Sequence, residues 1–485
     1  MKEILLFSNL KRFGYESLQT LKLGTPVIIA QLLQVMMQFV DTVMAGHISS
    51  NDLAGLAIAT ALYHPVFLLM LGILFAVRAI ISQLYGAGNS SEITANVIQG
   101  LWLSQALALI SICILVYPEP VLNLMGYESE VIRVAGEYLR ALCWGMPAVY
   151  AYIVLRTFNE GLSYTRPNMY ISLLGLGINI IGNYTLMFGH FGFPALGAVG
   201  AGWSTSLVHW VMFAVLLVYC LKSTLFKSYR NYVSFKRPAW LYLREILRIG
   251  IPNGFSLTAE VGMFAMVSLM IGTFGASAMS GHQIAINIAS VTFMVPLGLS
   301  IAISIRVGRA KGSGNSTDAR YIGFAGIFLC IIVMTVTASI FILVPEHIVG
   351  FYTYEENVQT LAVQLLYMAA IFQLSDGMQV GALGALRGLK DTRVPFLANV
   401  LAYCGIGQSE FCWGVRDRPK VRKAFSTLWQ EDDLLVSFDG ACVMRPWHYD
   451  PSWKSHERWF HVDQHPGHRP GFDCIQGLVN LLPMS

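Results

Sequence analysis

The chain has 485 residues, 55% of them hydrophobic and only 12% charged. Soluble domains carry about 25% charged residues, so this composition excludes an ordinary soluble fold. The net charge of +4 and the dispersal of Lys and Arg between apolar runs exclude a nucleic-acid surface, and 8 scattered Cys without CxxC spacing exclude a disulfide framework or a zinc site.

A spanning helix needs about 20 mostly apolar residues. Runs of that kind lie near 23–43, 55–83, 95–117, 138–158, 168–188, 198–221, 249–272, 278–304, 321–344 and 359–383. The first is too long for a secretory signal and continues into Val40–Asp41, so it reads as a retained helix. Pro26, Pro65, Pro252 and Pro296 fall inside these runs and predict kinks. Basic residues cluster before the first run, after the fourth (Arg156, Arg166), after the sixth (Lys222 to Arg248), after the eighth (Arg306, Arg309, Lys311, Arg320) and after the tenth (Arg387, Lys390, Arg393). The opposite loops hold Arg133 and no other Lys or Arg. The positive-inside rule then sets the N-terminus and the even-numbered turns of this multi-pass protein in the cytoplasm. Arg78, inside the second run, reads as a snorkelling side chain. His282 reads as a packing or interfacial residue.

The chain repeats itself. Leu21-Lys-Leu-Gly-Thr-Pro26 resembles Leu247-Arg-Ile-Gly-Ile-Pro252, Gly86-Ala-Gly-Asn-Ser90 resembles Gly312-Ser-Gly-Asn-Ser316, and Gly161–Arg166 resembles Gly388–Arg393, at spacings of 226, 226 and 227. The alternative is shared turn chemistry in unrelated loops. Six helices per unit keep both units in one orientation, which predicts an axis along the membrane normal and a site between the halves. The expected fold is therefore all-α integral membrane, with two parallel six-helix repeats.

The repeat requires two more helices near 395–415 and 424–447. Gln408 and Glu410 end the eleventh run early, and Glu431-Asp-Asp433 with Asp439 occupies the twelfth. From Gln408 onward 19 of 78 residues are charged, against 41 of the first 407, and the segment holds five of the 10 Trp and five of the 11 His. The predicted domains are an N-terminal lobe at 1–221, a cytoplasmic linker at 222–248, a truncated C-terminal lobe at 249–407 with about ten helices in all plus a partial eleventh, and a foreign soluble tail at 408–485.

Three carboxylates lie in apolar runs: Asp41, Glu260 and Asp376. An acid at mid-bilayer costs about 2.5–3.5 kcal/mol on insertion scales and is normally kept for an ion, a proton or a cationic substrate. Burial makes a carboxyl hold its proton and a nearby cation makes it let go, a competition suited to exchange. The bland reading is a helix-end carboxylate in the headgroups, which fits Asp41 better than the other two. Asn179 and Asn183, four apart, share a helix face and either line a site beside Asp41 or join helices by hydrogen bonds.

Residues Asp41-Thr-Val-Met-Ala-Gly46, Arg156-Thr-Phe-Asn-Glu-Gly161, Thr165-Arg-Pro167, Pro194–Gly200, Gly281-His-Gln-Ile-Ala285, Phe293–Gly298, Arg306-Val-Gly308 and Ala385–Arg393 resemble the multidrug and toxic compound extrusion family, in its NorM-like bacterial branch, over about 1–405. The resemblance implies a secondary antiporter and not an enzyme. It implies two lobes in the cell inner membrane that export small-molecule organic cations in exchange for Na⁺ or H⁺ through an outward-facing cleft, in a monomer whose partners are solute and lipid bilayer. It implies Asp41 with Asn179 and Asn183 as the first-lobe site, and Glu260 and Asp376 as the second-lobe cation site. The family often carries an aromatic hydroxyl four residues before the last acid, where this chain has Phe372. Loss of the last helices predicts a second lobe open on one side and an inactive chain. Rival readings on the same chain are a lipid-linked sugar flippase and a membrane-anchored oxygenase.

The oxygenase reading rests on the tail. Trp459-Phe-His-Val-Asp-Gln464 and Ile475–Pro483 resemble a fragment of the phytanoyl-CoA dioxygenase-like enzymes. That resemblance implies a β-rich segment with His461 and Asp463 as two Fe²⁺ ligands. Such iron needs two His and one carboxylate. The second His is missing downstream, and His448-x-Asp450 satisfies the same pair rule.

Overall fold

The computed structural model of the protein describes residues 2–124, 128–230, 237–272, 275–353 and 355–403. They form fifteen α-helices and no strand among the described residues. In chain order these are α1 (Lys2–Gly46), α2 (Ser50–Leu74), α3 (Ala76–Gly86), α4 (Ser90–Leu115), α5 (Glu119–Leu124), α6 (Ser129–Gly161), α7 (Arg166–Phe188), α8 (Ala198–Lys222), α9 (Lys227–Arg230), α10 (Trp240–Gly272), α11 (Ala276–Gly312), α12 (Ser316–Leu343), α13 (Pro345–Gly350), α14 (Glu356–Gly388) and α15 (Arg393–Tyr403).

Nine helical segments among the described residues are long and apolar enough to cross a membrane, with α2–α3 and α4–α5 each counted as one. They match nine of the ten predicted runs. The run at 249–272 forms most of α10, which is not among the nine. Pro26, Pro65, Pro252 and Pro296 all lie inside helices, as expected. The second run is interrupted at Phe75, between α2 and α3. Residues 240–248, read as part of a linker, are the first turns of α10.

The internal repeat has a physical basis in turn chemistry. Gly86 and Gly312 end α3 and α11, Gly88 and Gly314 take φ of 72° and 82°, and Asn89 and Asn315 cap α4 and α12 by accepting from Glu92 N and Asp318 N. A positive φ is costly for most residues with a Cβ, so the Gly is required. The same correspondence appears at Ser163 and Lys390, whose φ values are 69° and 63°. The short helices α5 and α13 also occupy matching positions.

Shared turns alone would leave the packing unrelated, and it is not. α1 packs on α11 and α2 packs on α10. A Cβ on Gly24 would stand 3.1 Å from Leu299 Cδ2, and one on Gly250 would strike Ile73, the residue 226 positions before Leu299. Gly72 lies against Gly254, and its counterpart Gly298 lies against Ile28. Inside the lobes, Gly161 abuts Arg78 and Ile81 while Gly388 abuts Ser304 and Val307. Small residues let membrane helices approach closely without an aqueous hydrophobic drive. The halves thus meet along a glycine seam with two-fold correspondence.

Candidate functional site

α1, α7 and α8 bring together the first predicted cluster. α7 packs against both α1 and α8, and its i, i+4 pair Asn179 and Asn183 faces α1. Asp41 is 8% exposed, Asn179 1% and Asn183 not at all. Asn179 Nδ2 donates to Asp41 Oδ1 at 3.0 Å and Asn183 Nδ2 donates to the same oxygen at 2.6 Å. Thr205 Oγ1, from α8, donates to Oδ2 at 3.4 Å. The carboxylate is thus enclosed by helices. The side-chain carbonyl oxygens of Asn179 and Asn183 are buried and accept nothing. Buried acceptors normally find a donor; here two idle carbonyls flank a carboxylate, an all-oxygen set of the kind hard cations prefer.

The second cluster is smaller. Asp376 on α14 is 7% exposed, and Glu260 on α10 is half-buried and within electrostatic range of it. Phe264 and Phe372, one turn from the two acids, meet edge to face with centroids 6.5 Å apart. Phe372 thus packs where a hydroxyl would have been available as a ligand. Gln373, beside it, donates to Thr292 Oγ1 at 3.0 Å and accepts from Thr337 Oγ1 at 2.5 Å. Glu260 also lies in the field of Arg387, whose buried Nε has no partner. His282, on α11, makes a hydrogen bond of 3.1 Å to Ser268 and takes no part in either cluster.

A third buried charge group was missed. Glu160 Oε2 accepts from Arg78 Nε at 2.7 Å and its Oε1 accepts from Arg156 Nε at 2.8 Å. Arg156 Nη2 also donates to Gln31 at 2.7 Å. Arg78 does not snorkel, and Arg156 lies in α6; both side chains are 5% exposed. The signal was available in the spacing of Arg156 and Glu160, which is i, i+4 on one helix. Thr205 was missed as well, and nothing in its local sequence, Ser204-Thr-Ser206, marks it.

The contrast between these groups is chemical. Glu160 has two guanidinium partners. Among the described residues, no Lys or Arg forms an ion pair with Asp41, Glu260 or Asp376. Burying a carboxylate without a counter-ion is expensive, so the first lobe holds one acid neutralised for structure and one left open. His461 and Asp463 lie outside the described residues, as do the predicted β-rich tail and all of 404–485.

The chain matches the MatE family model over residues 26–185 and 252–408. The two matches begin 226 positions apart, the spacing of the internal repeat. It is 37% identical over 435 residues to the multidrug resistance protein PmpM of Pseudomonas aeruginosa, covering 89% of this chain and 91% of that one. It is 37% identical over 399 residues to the multidrug resistance protein MdtK of Edwardsiella ictaluri, covering 82% and 87%. Its fold is similar to the crystal structure of the eukaryotic MATE transporter AtDTX14, with a TM-score of 0.74 at 19% identity over 87% of this chain and 91% of that chain. It is similar to an outward-facing multidrug resistance MATE family transporter of the MOP superfamily, with a TM-score of 0.72 at 19% identity over 81% and 87%. With both halves matched by the family model and relatives above 30% identity along most of its length, the chain belongs to the multidrug and toxic compound extrusion (MATE) family of membrane transporters.

Proposed function

We propose that this chain is a secondary antiporter that exports organic cations in exchange for Na⁺ or H⁺. The observation that carries the reading is the Asp41 carboxylate, buried and unpaired, with two idle amide oxygens beside it. An organic cation, Na⁺ or a proton would each neutralise that carboxylate, and only one at a time. Such mutual exclusion couples the two fluxes without any covalent chemistry. Glu260 and Asp376 would form a second cation site in the other lobe, with Arg387 and not a hydroxyl as the nearby modulator.

The lobes proposed are 1–221 and 249–407, joined by 222–248, with 408–485 as a separate segment. The N-terminus and the glycine seam at Gly86 and Gly312 would face the cytoplasm, and the protein would act as a monomer. Efflux of a fluorescent cationic dye from cells lacking their own pumps tests the reading, with membrane insertion confirmed. Efflux that responds to a Na⁺ or pH jump is expected. Inserted protein without ion-responsive efflux overturns it.

A further inference from the structure

A cavity of about 790 Å³ opens beside the first half of α1, the helix that carries Asp41 near its other end. It is bounded by both lobes: α1 through Tyr15 and Lys22, the turn into α7 through Tyr164 and Arg166, and the last turns of α11 through Arg306 and Arg309. Its polarity is the reverse of the Asp41 cluster. Arg306 is neutralised by Glu16 and also donates to Thr20 Oγ1 at 2.7 Å. Asp318, the carboxylate on the cavity wall, is taken by Arg12 at 2.5 Å. Among the described residues no carboxylate pairs with Lys22, Arg166 or Arg309. Arg309 lies over the Tyr85 ring at 4.8 Å, a contact that leaves its charge intact.

Two further features point the same way. The N-terminus of α7 borders the cavity and carries no side-chain cap, and Thr165 Oγ1 donates to Leu23 O at 3.1 Å. The dipole at this helix start favours an anion. The repeat does not demand this charge. Lys22 and Arg166 have basic counterparts in Arg248 and Arg393, but Arg306 and Arg309 answer to Ile80 and Gln83.

We propose that this cavity binds a phosphate group, as carried by the headgroup of an anionic phospholipid or by free phosphate. Organic cations are excluded by its sign, so it is not a station on the transport path. Tyr15, Tyr164, Leu23 and Pro167 give the wall an amphipathic character suited to a lipid at the membrane surface. A phosphate seated there would touch α1 and α11 together and tie the lobes at this end. Basic pockets between membrane helices hold such headgroups by charge and hydrogen bonding.

Native mass spectrometry of the purified full chain in a neutral detergent tests this, with phosphatidylglycerol or phosphatidylcholine added. One phosphatidylglycerol should be retained in preference to phosphatidylcholine. The variant K22Q/R166Q should bind it roughly 20- to 30-fold more weakly, the effect of two surface cations. Both residues are exposed, so folding should survive. The counterpart variant R248Q/R393Q should bind as the parent does. Displacement by millimolar inorganic phosphate assigns the site to the free ion, and resistance to it assigns the lipid. Equal retention by K22Q/R166Q and the parent overturns the proposal. So does equal weakening by R248Q/R393Q, which would mean diffuse surface charge. Lipid retention and dye efflux are separate readouts, so failure here leaves the antiporter reading standing, and failure of ion-responsive efflux leaves this site standing.

Discussion

Gly86 at the end of α3 and Gly312 at the end of α11 are packed reciprocally: a Cβ on Gly86 would strike Arg309 O, and a Cβ on Gly312 would strike Gln83 O. Gln83 and Arg309 are themselves counterparts in the repeat. The closure is reinforced by Gln83 Nε2, which donates across the seam to Gly388 O at 2.8 Å. Backbone cannot retreat as a side-chain tip can. Gly86→Val and Gly312→Val should therefore each cost about 1–3 kcal/mol and lower the thermal midpoint in detergent. Substitution at Gly177, where a Cβ meets nothing within 4 Å, should cost far less. Scanning fluorimetry of the three variants checks this, and equal midpoints would refute the seam.

The acids separate into structural and functional groups by their partners. Glu160→Gln leaves the buried Arg78 and Arg156 without a counter-charge. Breaking such a group by removing one partner costs about 3–5 kcal/mol, so folded yield should collapse. Asp41→Asn removes a charge that has no ion-pair partner and keeps a polar group of similar size in the same nest. Its yield should equal or exceed the parent's while ion-coupled efflux falls to background. Membrane-fraction immunoblots beside dye efflux distinguish the two. A D41N protein that folds and pumps normally would remove Asp41 from the mechanism.

The two asparagines should not be equivalent. Asn183 donates at 2.6 Å and Asn179 at 3.0 Å to one oxygen of Asp41. A hydrogen bond to a charged acceptor contributes about 1.5–3 kcal/mol. Asn183→Ala should weaken ion coupling by roughly tenfold or more, and Asn179→Ala by less. The half-maximal Na⁺ or H⁺ concentration for dye efflux is the readout. An inverse order would mean that the idle carbonyls, not the donors, matter.

Much of this was legible before the fold was known. The ten runs and the repeat follow from hydropathy and spacing; the spacing of Asn179 and Asn183 leaves two readings open, and their pairing with Asp41 is what the family resemblance implies. Arg78 was misread because its partner Glu160 is 82 positions away, and a lone cation in an apolar run looks like a snorkelling one. Thr205 joins Asp41 only because α8 folds back beside α1, a contact of 164 positions that leaves no local pattern. The seam was legible only as repeated turns: Gly86 and Gly312 appear in the motif, but that each lies against the other's helix is a tertiary fact.

The last prediction concerns opening of the seam. Glu16 on α1 and Arg306 on α11 form an ion pair across the lobes, with side chains 13% and 16% exposed, and Arg306 Nη1 also donates to Glu16 O at 2.6 Å. Parting the lobes at this end must separate the two chains. Arg12 and Asp318 bridge α1 to α12 nearby, but at 41% and 45% exposure water screens that pair to about 0–1 kcal/mol. Glu16→Gln should therefore favour the parted state by roughly tenfold, and Arg12→Gln should barely change it. A cysteine replacing Gln83, reacted with a water-soluble maleimide, reports the parted population. Labelling several-fold faster in the E16Q background than in R12Q is the expected result. Equal rates would mean that the glycine packing alone holds this end closed.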